Sequence, residues 1–117
     1  NVAGISYIVE QLKQMKYERL HMVIGMVNDK DVSGVLALLP KNAIYYFTKA
    51  SVKRALSETL LQQIGASAGL EGNTYPNVQS AVKAAQEKSL PEDLIFVGGS
   101  SFIVADLLSC RDTLDLD

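Results

Sequence analysis

The chain has 117 residues, 48% of them hydrophobic and 21% charged, and its formal net charge is −2. This composition is typical of one folded globular domain with a sizeable core and excludes a disordered segment. The 11 Lys and Arg residues are spread along the chain, which argues against binding to nucleic acid or to an anionic membrane surface, and no apolar run approaches the roughly 20 residues that cross a bilayer. Cys110 is the only cysteine, so an internal disulfide is excluded and we expect a cytoplasmic protein.

The chain begins at Asn1 rather than at methionine, and no signal peptide is visible. We therefore expect residues 1–117 to be a single domain that belongs to a longer protein, or a processed product. Such a domain would hold only part of an active site.

Hydrophobic periodicity in the first half of the chain predicts a helix over 5–16, a strand over 21–27, a helix that follows Asp31 and a strand over 43–48. The stripe of the first helix comprises Ile5, Ile8, Val9, Leu12 and Met15. Asp31 can cap the second helix, whose predicted inner face comprises Val32, Val35, Leu36 and Leu39. The first strand, HMVIGMV, is apolar throughout, which is typical of a strand covered on both faces.

The second half begins with a predicted helix from about Ser51 to Gly65, whose inward residues are Val52, Ala55, Leu56, Leu60 and Ile64. Residues 66–75 are predicted to form a loop. Pro76 suits the first turn of the next helix, which buries Val78, Ala81, Val82 and Ala85. A third strand over 94–98 and a helix over 101–109 follow, and the tail is expected to pack only through Leu114.

Strands that alternate with helices predict an α/β fold of Rossmann-like, doubly wound type, with a mostly parallel sheet and helices on both faces. In such a sheet, ligands bind beyond the carboxyl ends of the strands. Three loops lie there: Asn28–Asp31, Thr48–Ser51 and Gly98–Ser101. These loops also concentrate the polar chemistry of the chain, so we expect the functional site among them.

The glycine-rich run that ends in Ser100, Ser101 and Phe102 follows a strand and opens a helix. Small residues let backbone N–H groups approach an anion, and the helix N-terminus adds a partial positive charge. Alternatively, Ser101 is simply the N-cap and the glycines form a tight turn. The run is not a P-loop, since no GxxxxGK[ST] motif occurs in the chain.

The NDKD run places Lys30 between Asp29 and Asp31. Lys30 is a point charge suited to a carboxylate or a phosphate. The two aspartates could hold the lysine, cap the next helix or accept a hydrogen bond from an ammonium group. The alternative is an ordinary solvated turn with an Asp cap.

Other candidate residues receive structural or supporting roles. His21 stands at the start of a strand, the wrong end for a ligand site, and one histidine with Cys110 cannot build a zinc cluster. Arg54 falls in the first turn of its predicted helix, where a cation is unfavourable, so it is expected to pair with an acid from another loop or domain. Tyr45 and Tyr46 are predicted to pack within their strand.

Three segments together resemble a known family: HMVIGMVNDKDVSGVLALLP, AIYYFT with the RALS that follows it, and DLIFVGGSSFIVADLL. They are similar to the C-terminal domain of folylpolyglutamate synthases, also called dihydrofolate synthases in their bifunctional form, within the Mur ligase superfamily. The resemblance covers roughly residues 1–108. Residues 1–4 resemble the end of the family signature D-x-A-H-N-x-x-G, whose aspartate and histidine are not in this chain.

The resemblance implies an ATP-dependent amide ligase. A carboxylate of dihydropteroate or of a folate glutamate tail is activated as an acyl phosphate, which the amino group of L-glutamate then attacks. A P-loop domain, N-terminal to this one and missing here, carries the phosphate loop, the magnesium sites and much of the folate pocket. ATP and magnesium are thus expected in the parent enzyme and none is expected to bind to this domain alone.

The resemblance also implies roles for individual residues. Lys30 would bind a carboxylate of the incoming glutamate, and Ser100 or Ser101 would donate a hydrogen bond to the same substrate. Asn1 would lie near the nucleotide. Supporting or interface positions would be Asp29, Asp31, Arg54 and Phe102. No catalytic residue and no metal ligand is expected within the chain.

Two alternatives remain at this point. The first is a stand-alone α/β module that binds an anionic metabolite or a partner without chemistry. The second is the same domain from a peptidoglycan-type Mur ligase that uses a different amino acid. The NDKD and GSSF pair favours the folate enzyme over the second, and the start at Asn1 favours a fragment over the first.

Overall fold

The computed structural model describes residues 2–28 and 31–116, which form five α-helices and four β-strands. In chain order the elements are α1 (Val2–Gln14), β1 (Leu20–Gly25), α2 (Val32–Leu38), β2 (Ile44–Phe47), α3 (Glu58–Ser67), β3 (Gly72–Thr74), α4 (Val78–Lys88), β4 (Leu94–Gly99) and α5 (Ser101–Ser109). The sheet order is β3-β2-β1-β4, and every neighbouring pair is parallel. The predicted doubly wound α/β fold is confirmed.

Alternation along the central strands builds a core on each face of the sheet. Met22 and Ile24 of β1 face α1, α2 and α3, whereas Val23 faces the opposite way with Tyr46 of β2, toward α4 and α5. Because both faces are covered, β1 is buried along its whole length. None of the helices in the described part of the chain is long and apolar enough to span a membrane.

The predicted loop over 66–75 was wrong, because it contains β3, an edge strand of three residues that pairs with β2. Its sequence, Gly-Asn-Thr, carries no apolar side chain, so hydrophobic periodicity could not identify it. What holds the strand is backbone pairing, with Tyr45, Tyr46 and Phe47 of β2 opposite its three residues.

The predicted helix over 51–65 was also wrong at its start. α3 begins at Glu58, after Ser57, whose Oγ accepts a hydrogen bond of 3.1 Å from the backbone N of Leu60. Residues 51–57 are irregular, and the Arg54 carbonyl and the Leu56 N–H bond to the segment that follows β1. Leu60, predicted to face inward, is 44% exposed, and Gly65, predicted to end the helix, lies within it.

Most of the remaining predictions of buried residues are confirmed. α4 buries all four of its predicted inward residues, and β4 and α5 match their predicted ranges closely. Leu114 of the tail is buried, but the tail does not pack through it alone, because Cys110 and Leu116 pack against the same core. Two other details were wrong. Met15 lies beyond the end of α1 and is half exposed, and Pro76 precedes the N-cap Asn77 rather than standing in the first turn.

A buried polar network closes the amino-terminal edge of the sheet. His21 Nε2 lies 2.9 Å from Asp93 Oδ2, and His21 Nδ1 lies 2.8 Å from the Tyr46 hydroxyl. The Asp93 carboxylate also accepts from Arg19 Nε at 3.2 Å and from the Leu90 backbone N at 3.0 Å. The hydrogen bond from His21 is the main reason that the pKa of Asp93 falls from 3.8 to about 2. This position, opposite the carboxyl edge, is consistent with the structural role predicted for His21.

We predict that Asp93→Asn lowers the urea midpoint of the chain in a pH-dependent way. The pKa of Asp93 is lower in the folded state, so the stabilisation by its carboxylate is fully present above the unfolded value of 3.8 and is lost as the pH falls to about 2. The difference between Asp93→Asn and the wild type should therefore be largest near neutral pH and should shrink between pH 4 and pH 2.

Asp112→Asn is the matched control, because the Asp112 side chain is 100% exposed. It should leave the midpoint unchanged. A deficit of Asp93→Asn that stays constant as the pH falls would contradict the role given to this carboxylate.

Candidate functional site

A cavity of about 490 Å³ lies at the carboxyl ends of β1 and β4. The sheet order places these two strands side by side, so the segments that follow them meet, as expected at the switch point of a doubly wound sheet. Polar and charged residues of the cavity wall are Asp31, Arg54, Ser100 and Ser101. The apolar part of the wall comprises Val2, Met26, Val27, Val32, Val35 and Phe102.

The start of α5 offers several hydrogen-bond donors to the cavity. Ser100 is the N-cap residue, and its side chain makes no capping hydrogen bond with the described residues. The alternative in which Ser101 caps the helix is therefore wrong. The first-turn N–H groups of Ser101 and Phe102 have no intrahelical acceptor, and both serine hydroxyls lack a partner within the described ranges. This end of the cavity suits an anionic group.

Gly99 makes the turn from β4 into α5. Its φ is +110°, in the region that favours glycine, and any Cβ there would collide with the carbonyl oxygen of Gly25. The next residue, Ser100, donates its backbone N–H to that same carbonyl at 3.0 Å. The chain thus stays in contact with β1 up to the N-cap residue of α5, which places both serines at the cavity.

Arg54 reaches the cavity through the irregular segment that precedes α3. Its carbonyl accepts a 2.7 Å hydrogen bond from the Asn28 N–H, and the Leu56 N–H donates to the Met26 carbonyl at 2.8 Å. Arg54 is therefore not in the first turn of a helix, as predicted, but in a turn clamped against the segment after β1. Its guanidinium forms no ion pair within the described residues, so the predicted pairing with an acid of another loop is not found there. Pairing with an acid of another domain stays a prediction.

Asp31 stands at the N-cap position of α2, but its side chain makes no capping hydrogen bond with any described residue. The predicted cap is therefore wrong. Its carboxylate lies over Gly34 instead, where a Cβ would fall 2.9 Å from Oδ2. A backbone bond of 3.0 Å from Val35 N to Asp31 O starts the helix without help from the side chain.

The second predicted loop, Thr48–Ser51, does not contribute to this cavity. Thr48 is fully buried, and its hydroxyl donates to the Tyr75 carbonyl at 3.1 Å. Ser51 bonds through its backbone N and its hydroxyl to the Asp106 carboxylate of α5, at 2.8 and 2.9 Å. The polar groups of this loop thus connect β2 to α5. Asp106 was not predicted, since an isolated acid on a helix carries no sequence signal for such a contact.

Three predicted site residues, Asn1, Asp29 and Lys30, lie outside the described residues, and their roles stay predictions. Across residues 2–28 and 31–116, no group of three or more His, Cys, Asp or Glu side chains could hold a metal ion.

Comparison with known proteins identifies the family. Residues 1–101 match the family described as Mur ligase, glutamate ligase domain. The chain belongs to this family. Together with the folate relatives described next, this match confirms the resemblance inferred from the three segments.

Relatives of this glutamate ligase domain are folate enzymes. The dihydrofolate synthase/folylpolyglutamate synthase of Escherichia coli K12 is 31% identical over 116 residues, which are 96% of this chain and 26% of that protein. The structure of E. coli FolC in complex with DHPP and ADP has a TM-score of 0.86 and 27% identity, over 98% of this chain and 27% of that one. A bifunctional folylpolyglutamate synthase/dihydrofolate synthase with Mn, AMPPNP and L-glutamate bound has a TM-score of 0.79 and 26% identity, over 99% of this chain and 27% of that one. The chain therefore spans about a quarter of the length of these relatives.

We predict that Gly99→Ala destabilises the domain more than Gly69→Ala does. Gly69 also has a positive φ, of +83°, but the nearest atom to a Cβ there is the Lys41 Cδ at 3.6 Å. Gly69→Ala should therefore cost only the left-handed backbone strain, about 1–2 kcal/mol. Gly99→Ala adds the collision with the Gly25 carbonyl oxygen, so we expect a further loss of about 1–3 kcal/mol in the free energy of unfolding. Urea unfolding measures both, and equal costs would contradict the close approach of β1 and β4 at this point.

Proposed function

We propose that this chain is the C-terminal domain of an ATP-dependent folate ligase that joins L-glutamate to dihydropteroate or to the glutamate tail of a folate. The observation that carries the proposal is the cavity between β1 and β4, in which the donors of the α5 start and the cation of Arg54 share one wall, within a glutamate ligase domain. The solved relative with L-glutamate bound supports this substrate. The lone thiol of Cys110 agrees with the cytoplasm as the compartment.

The cavity suits glutamate because that substrate carries two carboxylates. Each needs a cation or several N–H and O–H donors once it leaves water. The start of α5, with Ser100 and Ser101, can hold one carboxylate and Arg54 can hold the other. The family resemblance assigns Lys30 to a carboxylate of glutamate as well. Phe102 and the valines of the wall would exclude water from the bound carbon chain.

The reaction forms one amide bond. The folate carboxylate is activated with ATP, as an acyl phosphate, in the part of the enzyme outside this chain. The ammonium group of glutamate gives one proton to solvent, and the resulting neutral amine attacks the acyl carbon. The new C–N bond forms, the C–O bond to phosphate breaks, and the second nitrogen proton leaves with the phosphate or to solvent. In this proposal the residues of the chain bind glutamate and orient its nitrogen, and they do no covalent chemistry themselves.

Nucleotide and metal are assigned to the rest of the parent enzyme. Solved relatives contain ADP, AMPPNP and Mn. The described part of this chain has no cluster of side chains suited to a metal ion, so magnesium would be held elsewhere. Asn1 would lie near the nucleotide, and the P-loop domain would be the main partner of this one. No nucleic-acid or membrane partner is part of the proposal.

We predict that the chain alone folds but neither turns over ATP nor ligates glutamate, because the phosphate loop is not in it. Circular dichroism and urea unfolding check the fold, and ADP release in the presence of a folate and L-glutamate checks the activity. The full-length enzyme is the positive control. Ligation by the chain alone would contradict the division of roles between the two domains.

In the full-length enzyme, we predict that Lys30→Ala raises the KM for L-glutamate about tenfold or more, as expected for the loss of a charged hydrogen bond, while the KM for ATP changes little. Lys83→Ala, an exposed position on α4, is the charge-matched control and should leave both constants unchanged. An unaltered glutamate dependence in Lys30→Ala would reject this role.

A further inference from the structure

Two unlike charges face the cavity between β1 and β4. Asp31 and Arg54 both belong to its wall, yet within the described residues neither side chain forms an ion pair, with the other or with a neighbour. At the opposite edge of the sheet, by contrast, the Asp93 carboxylate bonds with His21 and Arg19. An acid and a base that share a cavity without pairing complement a ligand that carries both signs.

The carboxylate of Asp31 is free for such a ligand because α2 does not use it. An aspartate at an N-cap normally accepts from the first turn of its helix, but this one makes no capping bond. It lies instead over Gly34, in the space that a Cβ would occupy. Glycine is a weak helix former, so its place in the first turn of α2 is unfavourable in itself, and what it provides is room for the carboxylate.

We propose that Asp31 binds the ammonium group of the incoming amino acid and so selects a zwitterion over a plain dicarboxylate. This inference rests on the proposed function, since it concerns the same cavity. An ammonium group has three donors and no acceptor, and a carboxylate is the acceptor that it binds most strongly. Arg54 and the start of α5 attract carboxylates and cannot distinguish L-glutamate from glutarate, which lacks only the ammonium group. Among the described residues of the cavity wall, Asp31 is the acidic one, so it is the group that can distinguish L-glutamate from glutarate.

The test uses the full-length enzyme, with the KM for L-glutamate and the inhibition constant of glutarate measured on each variant. Asp31→Asn keeps the shape of the side chain and removes its charge. It should raise the KM for L-glutamate about tenfold or more and leave the glutarate constant nearly unchanged, so that the preference for L-glutamate over glutarate falls about tenfold. Asp112→Asn removes an equal charge from an exposed position and should keep the wild-type preference.

Gly34→Ala provides a second test that does not depend on removing the acid. Alanine favours the helix, so this variant should be at least as resistant to urea as the wild type, but its Cβ must displace the Asp31 carboxylate. It should reduce the preference for L-glutamate in the same direction as Asp31→Asn. Ser33→Ala, an exposed neighbour on α2, is the control for a change in this helix.

The outcomes separate this inference from the function on which it rests. A full-length wild type that forms no glutamyl product would contradict the proposed function. Ligation by the wild type, together with an unchanged preference in Asp31→Asn, would overturn the role of Asp31 alone. An unchanged preference in Gly34→Ala, with the loss seen in Asp31→Asn, would overturn the part assigned to Gly34.

Discussion

The parallel pairing of β1 with β4 is the constraint on which the rest of the structure depends. Six residue pairs join the two strands, from Leu20 with Leu94 to Gly25 with Gly99. Each end of this pairing is fastened by a different kind of bond. At the amino end the Asp93 carboxylate joins Arg19 and His21, and at the carboxyl end the Ser100 N–H bonds to the Gly25 carbonyl. Because the strands are distant in sequence, this pairing alone brings the segment after β1 to the start of α5.

The second constraint is the clamp between residues 26–28 and 54–56. Its two backbone hydrogen bonds and the Val27–Ala55 bridge replace the helix that the sequence pattern predicted there. The replacement has a functional consequence. In a helix that began at Ser51, Arg54 would stand on a first turn, where a cation is unfavourable. In the clamp, its backbone is fixed beside β1 and its side chain belongs to the cavity wall.

The sequence was informative wherever apolar side chains reported burial, and failed where backbone geometry decided the structure. α4 was predicted because burial of one helix face leaves a period, and β1 and β4 because a strand covered on both faces leaves a short continuous apolar run. β3 and residues 51–57 were not, because both are held by main-chain hydrogen bonds, which leave no pattern of apolar side chains in the sequence. The site shows the same division. The rule that ligands bind at the carboxyl ends of parallel strands predicted that Ser100 would lie near the segment after β1. The hydrogen bond between Ser51 and Asp106 was not predicted, because it depends on where α5 packs.

Polar groups at the two edges of the sheet differ in whether they have hydrogen-bond partners within the described protein. At the amino edge, Asp93 is buried and accepts from several donors, and its pKa is lowered accordingly. At the carboxyl edge, the described groups of Asp31, Arg54 and the α5 start remain without partners and border a cavity. Asp31, Arg54 and Ser101 are exposed, so water satisfies these groups in the free protein, and a ligand that fills the cavity would have to replace that water. The contrast explains why a histidine in a strand, the residue most often associated with catalysis, belongs here to the framework, whereas an aspartate in a short turn belongs to the cavity.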